Sequence, residues 1–107
     1  MSKNFITLKE AQEYTQRYRD NLEKMITPEY KDALGFSETF DVEAIKKLIE
    51  QRDCVRFRAY YGMTEENRVC FIFTAVNAEN EDILNGEESI IVDHGEACPP
   101  VCPIKLL

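Results

Sequence analysis

His94, Cys98 and Cys102 stand at even spacing, His-x3-Cys-x3-Cys, within the run His94-Gly-Glu-Ala-Cys-Pro-Pro-Val-Cys-Pro103. Imidazole and thiolate are the usual ligands of zinc, and a tetrahedral site needs four of them. His94, Cys98 and Cys102 supply three, so a metal reading takes them as ligands to zinc or iron. Asp93, Cys54, Cys70, a water or a partner chain is then open as the fourth. The spacing differs from the Cys-x2-Cys of ribbons and fingers, which weakens that reading.

The same two cysteines suggest thiol redox chemistry. Pro99 and Pro100 favour a polyproline II conformation rising ~3.1 Å per residue, so four steps put the two Cα atoms ~12 Å apart. A disulfide needs them within ~7 Å. The extended segment is therefore expected to hold Cys98 and Cys102 apart, and only a turn, for instance through a cis Pro100, would join them. The pattern is also not the Cys-x-x-Cys of redox motifs. The third and preferred reading is a stiff strap over the domain. In it Cys98, Val101, Cys102, Ile104 and Leu106 bury apolar surface, with cysteine acting as a small hydrophobe. Cys70 reads the same way, and Cys54 is expected to be half exposed.

Nothing else in the sequence makes a catalytic set. There is no nucleotide-binding Gly-x-Gly-x-x-Gly or P-loop, and only four glycines in all. No Ser-His-Asp or Cys-His signature is present. The acidic run Glu79 to Asp82, with Glu87 and Glu88, lacks the EF-hand pattern and reads as a solvated loop. Tyr14, Tyr18, Tyr60 and Tyr61 read as core rim rather than a stacking platform. The chain is thus expected to have no catalytic residues.

These residues must be positioned by a domain of 107 residues, 44% hydrophobic and 31% charged, the size and balance of one globular unit. The expected division is a helical half over 1–52, antiparallel strands over 53–94 and an extended tail over 95–107. The formal net charge of −7 repels phosphate backbones, which argues against nucleic acid. Arg56, Arg58 and Arg68 are the only basic candidates, and they are expected to pair with nearby carboxylates. No stretch approaches the ~18 apolar residues of a membrane helix. The opening Met1-Ser2-Lys3-Asn4 lacks the apolar run of a signal peptide, so the expected setting is cytoplasmic, where thiols stay reduced.

Local signals set out the elements. Thr7 and Glu10 form a capping box, and Leu8, Ala11, Thr15, Tyr18, Leu22 and Met25 share one stripe at helical spacing. Pro28 should end that helix before Thr27. Residues 27–40 read as a connection, of which Leu34, Gly35 and Phe36 fold back on the core. A second helix starts at the N-cap Asp41, with Phe40 and Ile45 as a hydrophobic staple. The period then changes to two. Val55, Phe57, Ala59 and Tyr61 alternate with Cys54, Arg56, Arg58 and Tyr60, which predicts a strand with the first set buried. Arg68 to Val76 is apolar on both faces and reads as a central strand. Asn85-Gly86 marks a turn, and Ser89 to Asp93 reads as the last strand. Together these predict an α+β fold: two N-terminal amphipathic helices, an antiparallel meander of three to four strands, and an extended Cys/Pro tail.

Arg58-Ala-Tyr-Tyr-Gly62, Phe73-Thr-Ala-Val-Asn-Ala78 and Cys98-Pro-Pro-Val-Cys102 resemble segments of a group of small uncharacterised bacterial proteins with a C-terminal Cys-Pro-Pro-x-Cys tail. The resemblance spans the second half of the chain and implies that the tail is a family feature, with no activity attached to it. The function expected is therefore a small non-enzymatic domain that binds a protein partner or forms a homo-oligomer, with metal binding or thiol redox chemistry at the tail as the alternative. An open meander leaves strand edges that invite pairing with another chain.

Overall fold

Thr7 caps the first helix as its sequence dictates. Its hydroxyl accepts from the Glu10 N–H at 3.0 Å and its own N–H donates to the Glu10 carboxylate at 3.2 Å, satisfying two orphan donors reciprocally. The computed structural model describes residues 4–107, so the first three residues of the opening read for a leader lie outside the described residues. Helix α1 runs Leu8–Met25, and Pro28 opens a single 3-10 turn, Pro28–Tyr30, just beyond it. Helix α2 is Val42–Ile49, begun at Asp41 and two turns long.

The class is α+β with antiparallel pairing, as expected, but the strands fall in two small sheets. The main one is the hairpin of β2 (Arg56–Met63) and β3 (Val69–Val76), paired in unbroken register from Arg56↔Val76 to Met63↔Val69. The other joins β1 (Ser37–Thr39) to β4 (Glu96–Cys98). The region 27–40 is thus not connection alone: it contains a strand, and part of the tail expected to be extended is its partner. Three residues are too few for a period-two signal, and the two strands lie far apart in sequence. The expected last strand, Ser89 to Asp93, is reduced to one bridge, Phe73↔Val92. The Asn85-Gly86 turn forms, with Gly86 at φ 53°, a backbone that glycine adopts without steric penalty.

The core is small and lies between α2 and one face of β3. Leu48 and Ala75 are fully buried with Val92, and Phe40, Ala44, Ile45, Cys54, Phe73, Ile83 and Ile90 pack around them. Phe40 meets the Phe73 ring edge-on at 4.9 Å, a favoured aromatic geometry. Helix α1 has no buried residue at all. Its expected apolar stripe is only half covered at Ala11, Thr15, Tyr18 and Leu22 and exposed at Leu8 and Met25.

The alternation of β2 holds, since Phe57, Ala59 and Tyr61 lie opposite Ala75, Phe73 and Phe71 on one face. Their burial does not hold. Val55, Phe57 and Tyr61 are 60%, 52% and 81% exposed, and Ala59 is exposed too. The reason is a missing layer: α2 packs on β3 and leaves this face of β2 exposed.

Candidate functional site

The tail is not the extended strap that its prolines suggest. Cys98 and Cys102 form a disulfide with their Cα atoms 4.7 Å apart, and the Cys98-Pro99 and Pro99-Pro100 bonds are both cis. The chain reverses at the two prolines instead of running on as polyproline II, so the ~12 Å separation of the extended form does not arise. Within that loop the Val101 N–H donates to the Ala97 carbonyl at 3.0 Å. Cys98 is buried at 1% exposure, whereas Cys102, Val101 and Ile104 are exposed. Of the expected strap residues, then, only Cys98 is buried, with Leu106 half covered. Further on, the Leu107 carbonyl accepts from the Thr15 hydroxyl at 3.0 Å and from Arg19 at 3.1 Å, which lays the tail against α1.

His94 is exposed, has φ 58°, and its N–H turns back to its neighbour Asp93. A metal held by His94, Cys98 and Cys102 needs two thiolates, so metal binding and this disulfide are alternative states of the same sulfurs. Among the described residues no group of three or more His, Cys, Asp or Glu is arranged to hold a metal ion. Cys54 and Cys70 are free and half buried. Burial pushes the Cys70 thiol up, and the negative charges of Asp93 and Glu38 push it the same way, which makes it a poor nucleophile at neutral pH.

The three arginines behave differently from one another. Arg58 forms an ion pair with Asp82, as expected, and also donates to Asn80. Arg56 donates to the Asn80 side chain at 3.2 Å, and the Arg68 guanidinium lies against Gly35. Asp82 is the centre of the first group: it accepts from Arg58, from the Tyr60 hydroxyl and from the Thr74 hydroxyl. Tyr60 is therefore a structural bond donor rather than core rim. The acidic loop leading to Asp82 is ordered by its own Asn77, whose side-chain oxygen accepts from the N–H groups of Glu79 and Glu81.

The Tyr60 hydrogen bond, then those of Thr74 and the charge of Arg58, hold the Asp82 carboxyl below its ordinary value, against the opposing effect of desolvation. A depressed folded-state value means that the carboxylate stabilises the fold fully above about 3.8, and that this contribution is lost as pH falls through the lower folded value. Asp82→Asn should lower the melting temperature at neutral pH and leave a smaller difference from the native chain in strong acid. Thermal melts at several pH values check this, and an equal difference at every pH would refute it.

Two surfaces remain. One is a cleft of about 390 Å³ between α1 and the β2–β3 hairpin, floored by the 34–38 segment. Tyr14, Tyr18, Phe36, Tyr61 and Phe71 supply its aromatic lining, with Arg19, Arg68 and Glu38 at polar positions. The Tyr18 hydroxyl donates to the Gly35 carbonyl at 2.6 Å, and its burial pushes the phenol up. The Glu38 carboxylate is engaged by the Phe71 N–H at 2.8 Å. The cleft has no sequence signal because its walls come from five separate stretches, although Leu34, Gly35 and Phe36 do fold back as expected.

The second surface is the uncovered apolar face of β2, formed by Val55, Phe57, Ala59, Tyr61 and Met63, and it joins the cleft at Tyr61. Among the described residues no helix is long and apolar enough to cross a membrane. Comparison with protein-family models, with curated proteins and with solved structures finds no match to this chain.

Proposed function

We propose that this chain is a non-enzymatic protein-interaction domain whose β2 face and adjoining aromatic cleft are completed by a partner. The observation that supports it is the stripe Val55, Phe57, Ala59, Tyr61, Met63. Its sequence carries the alternation of a buried strand face, and the single chain leaves it exposed. Contiguous exposed apolar surface rimmed by polar groups marks interaction sites, and aromatic residues are the usual anchors of such interfaces. A cytoplasmic setting fits partner binding, and there the reduced form of the Cys98–Cys102 pair would be the working one.

The test replaces Tyr61 with a photo-crosslinking amino acid in the producing cell. A discrete covalent adduct on illumination, absent when the same probe is placed at the charged, exposed Glu13 on the outer side of α1, is the expected result. No adduct from Tyr61 would refute the reading.

A further inference from the structure

We propose that the partner is a second copy of this chain, added antiparallel along the free edge of β2; this rests on the interaction reading above and names its partner. The backbone sets the geometry. On β3 the N–H groups of Val69, Phe71 and Phe73 point away from β2, to the Ala33 carbonyl at 2.7 Å, the Glu38 carboxylate at 2.8 Å and the Val92 carbonyl at 2.8 Å. Their register partners are Met63, Tyr61 and Ala59. In an antiparallel ladder these are the pairs without mutual hydrogen bonds. Met63, Tyr61, Ala59 and, two residues away, Phe57 therefore direct their N–H and C=O groups to the outer edge. Among the described residues no strand or bridge takes up that edge.

The same four residues carry their side chains on the exposed apolar face, so one pairing event satisfies the backbone groups and packs the apolar side chains of the two copies against each other across the strands. A two-fold axis at Tyr60 brings Phe57 of one copy opposite Met63 of the other and Ala59 opposite Tyr61. All four outward-facing residues then find hydrogen-bonding partners. Arg58 falls opposite Gly62 and Arg56 opposite Thr64, so no arginine faces another, which cross-strand pairing would penalise. A self-complementary patch of this kind is what a two-fold dimer requires. Of the devices that keep edge strands apart, Arg56–Met63 has no Pro, no Lys and no bulge in its register, and its two arginines alternate with the apolar stripe and so lie on the other face.

The surface area agrees. The chain exposes 8830 Å² at 12.4 kDa, where a monomeric protein of that mass exposes about 6,100 Å². The excess leaves apolar surface for a second chain to cover, on β2 as well as on α1, which has no buried residue. The radius of gyration, 15.8 Å, likewise exceeds the roughly 13 Å of a compact chain of this length.

Size-exclusion chromatography with light scattering across a wide concentration range should give twice the 12.4 kDa chain mass. Ala59→Pro should yield a monomer with an unchanged far-UV spectrum, since proline is tolerated where the N–H faces outward on an edge. Tyr61→Lys, at a side chain 81% exposed, should do the same without touching the backbone. A monomer at every concentration, or a dimer that survives both substitutions, overturns the proposal. If the Tyr61 crosslink then joins only a different protein, the interaction reading stands and the second copy falls. If it joins nothing, both fall.

Discussion

Leu48→Ala should destabilise the fold by about 2–5 kcal/mol, the range for a fully buried leucine truncated to alanine. Leu48 is 0% exposed and is the single buried residue of α2. It forms the core cluster with Ala75 and Val92, and the side chains packed around them, Phe40, Ala44, Ile45, Cys54, Phe73, Ile83 and Ile90, are only partly buried. Small domains have total stabilities near the low end of about 5–15 kcal/mol, and this core offers few neighbours to close a cavity. The variant is therefore expected to be largely unfolded on mild warming. Urea titration followed by circular dichroism measures the change. Leu8→Ala, at a leucine 64% exposed on α1, is the control, with an expected change within about 0.5 kcal/mol. Equal losses for the two would mean that the burial of α2 against β3 is not what holds the domain together.

Removing the disulfide ranks second. The bond closes a loop of sequence separation four, for which the chain-entropy relation gives about 2 kcal/mol. Cys98→Ser combined with Cys102→Ser should lower the unfolding free energy read from urea titration by that amount and abolish any response to reductant, whereas the native chain should shift when reduced. The loss should spread beyond the loop. Cys98 is the last residue of β4, its carbonyl accepts from the Phe36 N–H at 2.7 Å, and β4 is the strand that pairs with β1. Phe36 in turn lines the aromatic cleft, so hydrogen exchange should quicken from Phe36 to Thr39 in the variant. Thiol titration in denaturant should count two free thiols before reduction, Cys54 and Cys70, and four after it. Four before reduction would show that the bond does not form. The exposure of Cys102 beside the buried Cys98 makes Cys102 the sulfur open to attack by an external thiolate.

How much of this was legible beforehand depends on the reach of each signal. The capping box, the two helices, the β2–β3 hairpin and the Asn85-Gly86 turn were readable, because each rests on residues a few places apart. The ion pair of Arg58 followed from the sign of charges on neighbouring segments, although its particular partner, Asp82, did not. The His94, Cys98 and Cys102 set was readable as chemistry but not as geometry. Its state depends on whether the Pro99–Pro100 backbone runs on or turns back, and residue type admits both.

By itself, then, the sequence determined the local elements, the alternation of faces along β2 and the acidic, helix-then-strand character of the chain. Tertiary structure alone decided three things: that β1 pairs with β4 across most of the chain, that Cys98 meets Cys102, and that the apolar face of β2 is left bare. Periodicity and capping are settled among residues within a turn or two of one another. Long-range pairing, and the layers that cover a face, depend instead on which elements the folded chain brings together, and here α2 packs on β3 while the face of β2 beside it stays exposed.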